Sequence, residues 1–125
     1  MLLTAWTTLA ALAVYFWMML NVGRAREKFG VKAPSMDGPL AFQSIVRVQI
    51  NTVEQMVMFL PALWMCALFL NDRWAALGGV IWCVGRIMFA LGYYKDPAKR
   101  SAGFGITMLG TLGLMIGTAV GLLNY

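Results

Sequence analysis

Residues 47–54 read Arg-Val-Gln-Ile-Asn-Thr-Val-Glu, and they interrupt a stretch that is otherwise apolar enough to be a membrane span. A charge at the centre of a helix in a bilayer costs roughly 2.5–3.5 kcal/mol on insertion scales, so such groups face a bundle interior or a wet cavity and mark a functional site. The octet therefore predicts a helix inside a bundle and a polar site within it.

Around the octet the chain is short and greasy: 125 residues, 61% hydrophobic and only 12% charged, with a mean hydropathy of +0.73. A soluble domain of this size is excluded, and four apolar runs at about 1–22, 41–70, 74–95 and 101–123 fill nearly the whole length. Each reaches the roughly 20 residues that cross a hydrocarbon core as a helix. The expected fold is an all-α integral membrane protein, a four-transmembrane-helix bundle with 1–125 as one domain. Met1–Val22 lacks the basic start and small-residue cleavage pattern of a signal peptide, so it reads as a retained span.

The net charge of +5 is laid out by loop rather than as a patch for nucleic acid. Arg24, Arg26, Lys28 and Lys32 crowd the first connection, and Lys95, Lys99 and Arg100 the third, whereas the second has only Arg73 beside Asp72. The positive-inside rule then puts the first and third connections in the cytoplasm and both termini outside. Lipid headgroups are the expected partners of Arg24, Lys28 and Lys32, and the ten methionines and five tryptophans read as packing and interface residues.

Metal chemistry finds no ligand set: there is no His and no CxxC, and Cys66 and Cys83 lie inside apolar runs as packing residues. Without His, the usual neutral-pH acid–base group is absent. Asp96 and Pro97 read as a cap and a helix start between the third and fourth spans. Gly113, Gly117 and Gly121, four apart, predict a face of close helix approach.

Helical geometry sharpens the octet. At about 100° per residue Arg47, Asn51 and Glu54 share a sector of about 60°, while Gln49 lies about 200° from Arg47 and looks toward another helix or a neighbouring subunit. On the third span Arg86, Phe89 and Tyr93 share one face as well, and Arg100 follows just past the break. The charges cluster in the leaflet nearest the basic loops. They suggest a cleft opening to the cytoplasm, lined by Arg26, Arg47, Arg86 and Arg100 with one acidic group, Glu54, suited to an anion that carries one amine. From spacing alone a second reading stays open, in which these charges only staple the bundle.

Three segments then combine. Gly-Arg-Ala-Arg-Glu-Lys-Phe-Gly-Val at 23–31, Arg-x-Gln-x-Asn-x-x-Glu at 47–54 and Gly-Arg-Ile-Met-Phe-Ala-Leu-Gly-Tyr-Tyr at 85–94, with Lys-Arg-Ser at 99–101, resemble the MAPEG family of membrane-associated proteins in eicosanoid and glutathione metabolism. The likeness covers almost the whole chain and leans toward the family's microsomal glutathione transferases of the third type. It implies a homotrimer that binds glutathione between protomers. Arg47, Asn51 and Glu54 would hold it from one protomer, Glu54 taking the amine, with Arg26 and Gln49 from the neighbour. Tyr93 would be a further contact, Arg86 and Phe89 would belong to the same site, and Arg100 would stand beside the thiol as the catalytic residue.

By that resemblance the activity would be glutathione transfer to a lipophilic electrophile, or reduction of a lipid hydroperoxide. A compact chain without an added targeting segment fits a bacterial inner membrane, with the endoplasmic reticulum as the alternative. Phe89, Glu27 and Gln55 stand where leukotriene-forming relatives carry Tyr, Arg and Tyr, which argues for a detoxifying enzyme over leukotriene synthesis. The alternatives are a non-catalytic lipid- or glutathione-binding membrane scaffold and a small transporter or structural bundle.

Overall fold

A computed structural model describes all residues from Met1 to Tyr125. Four helices follow one another, α1 (Leu2–Phe29), α2 (Leu40–Phe69), α3 (Asp72–Lys95) and α4 (Ser101–Leu123), with a 3-10 turn over Pro97–Arg100 and no strand. All four are long and apolar enough to cross a membrane. Large apolar side chains such as Trp6, Phe16, Val57, Leu68 and Leu109 point outward, the arrangement expected when the solvent is lipid.

The one substantial difference from the expected spans is at α1, which runs on past Val22 to Phe29. No residue between them breaks a helix; the stop is Gly30, whose φ of 66° ends α1 in the left-handed region. The Val31 amide then reaches back to the Arg26 carbonyl at 3.0 Å. Arg24, Arg26 and Lys28 are therefore helical and have fixed directions around α1, which a loop would not give them.

The chain ends of the helices are tied by side chains. Asn71 caps α3 by accepting from the Trp74 amide at 2.8 Å. Asp72 reaches across to α1 and accepts from the amides of Leu3 and Thr4 at 3.0 and 2.8 Å and from the Thr4 hydroxyl at 2.6 Å. One carboxylate at the start of α3 thus satisfies donors that α1 leaves free at its own first turn.

Packing is densest between α3 and α4, while α1 leans on α2 and α3 from the other side. Phe59 and Trp82 stack at 4.0 Å between centroids in the central core, beside Leu63 and Leu114. Cys66 and Cys83 are buried and unpaired there. Of the glycine stripe, Gly117 and Gly121 do face α2, but Gly113 meets nothing within 4 Å. The tightest α3–α4 approaches are made by Gly103, which presses on the backbone of Phe89, and by Gly85, where a Cβ would lie 2.6 Å from the Thr107 amide nitrogen; at Gly110 a Cβ would lie 3.0 Å from the Gly78 carbonyl oxygen.

Candidate functional site

The polar octet stays helical inside α2, so its side chains diverge as the helix turns. Arg47 and Asn51 enter a cleft of about 310 Å3 whose other walls are Phe89 and Tyr93 of α3, Arg100 of the 3-10 turn, and Ser101, Phe104 and Gly105 of α4. Three helices and the turn thus bring five of the nine candidate residues together.

Close backbone approach builds the cleft. At Gly92 a Cβ would lie 2.5 Å from the Lys99 carbonyl oxygen, so glycine lets the 3-10 turn fold back on the end of α3. Asp96 closes that turn by accepting from the Ala98 amide at 3.1 Å, and Pro97 supplies its first residue. Arg100 follows, its guanidinium 5.9 Å from the Tyr93 ring centroid and one Nη1 hydrogen bonded to the Pro97 carbonyl at 2.6 Å. Gly103 then seats the first turn of α4 against α3, leaving the Phe104 ring 6.2 Å from that of Phe89.

Arg86 does not line the cleft; it is fully buried behind it. Its Nε donates to the Thr107 hydroxyl at 3.0 Å, and its Nη1 donates to Asn51 Oδ1 at 2.8 Å and to the Thr52 hydroxyl at 3.2 Å. The guanidinium lies 4.3 Å over the Phe89 ring and 5.9 Å from that of Trp82, a cation held by π-faces and neutral oxygens with no carboxylate opposite. Nη2 has no acceptor within the chain. Phe89 therefore separates a buried positive charge from the open cleft.

The remaining three candidates face elsewhere. Gln49 points to α1 and donates to the Tyr15 hydroxyl at 2.9 Å. Arg26, half-buried, ties down the connection after α1 by donating to the Ser35 carbonyl at 2.8 Å, and its guanidinium lies 5.5 Å from the Phe42 ring. Glu54 is exposed and bonds to no other residue. Stapling by Glu54 is thus corrected: neither Arg47 nor Arg86 pairs with it, and the one ion pair in the chain joins the N-terminal amine to Asp72 at 3.8 Å.

Sequence reading missed Ser101, Phe104 and Gly105 as cleft residues, and Thr52 and Thr107 as the partners of Arg86. Ser101 and Phe104 stand one and four residues after Arg100, so a helix begun at the break would have carried both to the same side. The threonines gave a weaker signal, since a hydroxyl in an apolar span usually bonds its own helix, as both of these also do.

A four-helix bundle of membrane-crossing length, with an arginine-rich cleft at its basic end, defines a small multi-pass membrane protein. The MAPEG family model matches residues 4–120, and the chain belongs to that family. It is 40% identical over 116 residues to an uncharacterized protein of Synechocystis, covering 93% of this chain and 85% of that one. It is 36% identical over 124 residues to bovine microsomal glutathione S-transferase 2, covering 98% and 84%. Over 100 residues it is 33% identical to bovine leukotriene C4 synthase, covering 80% and 67%.

Proposed function

We propose that this chain is a membrane-embedded glutathione transferase with glutathione-dependent peroxidase activity, acting on lipophilic electrophiles and lipid hydroperoxides. The observation that carries this reading is the convergence of Arg47, Asn51, Tyr93 and Arg100 on one cleft. Two guanidiniums and no carboxylate line it, so it attracts an anion, and a planar guanidinium pairs with a carboxylate through two parallel bonds. The name of the microsomal glutathione S-transferase relative supplies the choice of glutathione as co-substrate.

In this account Arg47, Asn51 and Tyr93 hold the glutathione backbone and Phe89 forms the wall beneath it. Arg100 stands at the thiol. A free thiol of pKa about 8.5 is only a few per cent thiolate at neutral pH, and a guanidinium beside it favours the charged form. The proton leaves to water at the mouth of the cleft, so no histidine is required. The thiolate sulfur then bonds to the electrophilic carbon while the leaving group departs with its electron pair. With a hydroperoxide, sulfur takes the distal oxygen and becomes a sulfenic acid. The alkoxide released takes up a proton, and a second glutathione reduces the sulfenic acid to give the disulfide and water.

Glu54 takes the glutathione amine from the same protomer as Arg47 and Asn51, and Arg26 and Gln49 complete the site through assembly. Gln49 lies on the face of α2 that meets α1, and Arg26 lies on α1 itself, tied to the first connection; both are away from the cleft. One ligand meets both sets when a neighbouring copy brings that face to the α2–α4 cleft, which is the homotrimer. The cleft then opens at the cytoplasmic surface of a bacterial inner membrane, with both termini outside.

A non-catalytic lipid-binding scaffold has one observation in its favour, an apolar groove of about 430 Å3 between α2 and α4 lined by Pro61, Met65 and Met115 among others. The deciding experiment is ultraviolet thiolate absorbance on adding glutathione to purified protein at neutral pH, with Arg100→Ala alongside. A saturable signal lost in the variant is expected. Its absence from both proteins, with glutathione or lipid still bound, would favour the scaffold.

A further inference from the structure

Arg24 and Lys28 are one turn apart on α1, and the helix that runs on to Phe29 turns both toward a second cleft, on the α1–α3 side of the bundle. That cleft holds about 430 Å3 and is walled by Trp17, Asn21 and Phe29 of α1, Ala41 and Ile45 of α2, and Tyr94 of α3. None of its residues lines the Arg47–Arg100 cleft. No carboxylate is among them, and neither Arg24 nor Lys28 makes an ion pair, since the chain's one ion pair is at Asp72. Asn21 Nδ2 donates to the Tyr94 hydroxyl at 3.2 Å, so the oxygen of Tyr94 is fixed as an acceptor and its own proton remains available to donate.

We infer that this cleft is a binding site for the phosphate of an anionic phospholipid headgroup. Arg24 and Lys28 supply the charge and the Tyr94 hydroxyl a directed donor. A soluble phosphate would satisfy the same groups, but the surroundings favour a lipid. Leu20, four residues before Arg24, and Leu91, three before Tyr94, are both exposed, so an acyl chain has apolar surface to follow from the charged rim. Trp17 and Tyr94 pack at 6.2 Å between ring centroids, the kind of aromatic pair that sits at headgroup level. Basic pockets between membrane helices recognise such headgroups by charge and shape together.

The test is native mass spectrometry of the full chain from micelles holding equal phosphatidylglycerol and phosphatidylcholine. Wild type is expected to retain phosphatidylglycerol in roughly tenfold preference, as two cations at the membrane surface allow. Arg24→Gln/Lys28→Gln is expected to bring the ratio near one, and Arg73→Gln/Lys99→Gln, which removes equal charge elsewhere, to preserve it. Equal loss in both double variants would reduce the effect to general surface charge and overturn the site. Displacement of the retained lipid by excess inorganic phosphate would overturn the lipid assignment in favour of a soluble anion. Should Arg24→Gln/Lys28→Gln fail to accumulate, Tyr94→Phe removes only a hydroxyl. It is expected to lower the preference by roughly threefold, the worth of one hydrogen bond, and an unchanged ratio would overturn the proposal.

Discussion

Arg86 Nη1 donates a 2.8 Å hydrogen bond to Asn51 Oδ1, and that bond decides which end of the Asn51 amide faces the cleft. A guanidinium has no acceptor, so the amide oxygen must turn to Arg86 and the NH2 group away from it. Asn51 is thereby preset as a donor, suited to a ligand carbonyl or carboxylate. Arg86 acts through Asn51 without lining the cleft.

Replacing Arg86 by Met fills most of the same volume but frees the Asn51 amide to rotate. Because apolar replacement of a buried charge is often tolerated, the helical fold is expected to persist. The KM for glutathione is expected to rise roughly tenfold, equivalent to about 1.4 kcal/mol, with kcat within about twofold. Steady-state kinetics at varied glutathione separate the two, and an unchanged KM would remove Arg86 from the positioning of Asn51.

Arg100→Lys keeps a positive charge beside the thiol but loses the planar fork. Partial thiolate formation is expected, below wild type and above Arg100→Ala, because an ammonium acts as a point charge. Absorbance followed against pH reads this directly. If Lys and Ala behaved alike, directed hydrogen bonds rather than charge would be what stabilises the thiolate.

Subunit mixing tests the shared site. Gln49→Glu sets a negative charge against an anionic ligand, and Arg100→Ala removes thiol activation, so each chain alone is expected to be inactive. If the two residues serve one site from different copies, random co-assembly in a closed ring restores about a quarter of full activity. No restoration would mean that both residues act within one chain.

Gly103→Ala would force a methyl group onto the backbone of Phe89. Backbone cannot yield as a flexible side chain does, so α4 must shift away from α3 at a cost of about 1–3 kcal/mol. Thermal unfolding should reveal the loss, and glutathione affinity should fall with it, because the same contact shapes the cleft between Phe89 and Phe104. Gly105→Ala, at a position with open space around it, should leave stability intact.

Asp72→Ala leaves the Leu3 and Thr4 amides without their acceptor while touching nothing at the basic end. A fall of a few degrees in thermal midpoint with unchanged glutathione binding is expected. A parallel loss of binding would show that the two ends of the bundle are coupled.

Much of the fold was legible because lipid makes hydropathy decisive: four apolar runs and their basic connections are sufficient to predict four helices. The candidate site was legible by face and less so by partner. Periodicity grouped Arg47 with Asn51 and Glu54 and separated Gln49; the structure turns Gln49 to Tyr15 as that separation requires, but leaves Glu54 outside the cleft. Periodicity also grouped Arg86 with Phe89 and Tyr93, yet only the latter two line the cleft. A shared helix face does not tell whether a side chain reaches the opening or stays behind it; that depends on how closely α4 packs, and hence on Gly103 and Gly110.

By itself, then, the sequence determined the class of the protein: an all-helical membrane chain whose polar residues are too costly in lipid to lack a role. Only the tertiary structure decided that Arg86 is buried behind Phe89, that Asp72 caps a helix 68 residues away in sequence, and that Arg24 and Lys28 share a cleft with Tyr94. The physical reason is that burial energy in lipid is a property of each segment, readable residue by residue. The partner of a buried polar group is set instead by the distance and rotation between helices, which backbone contacts at a few glycines fix.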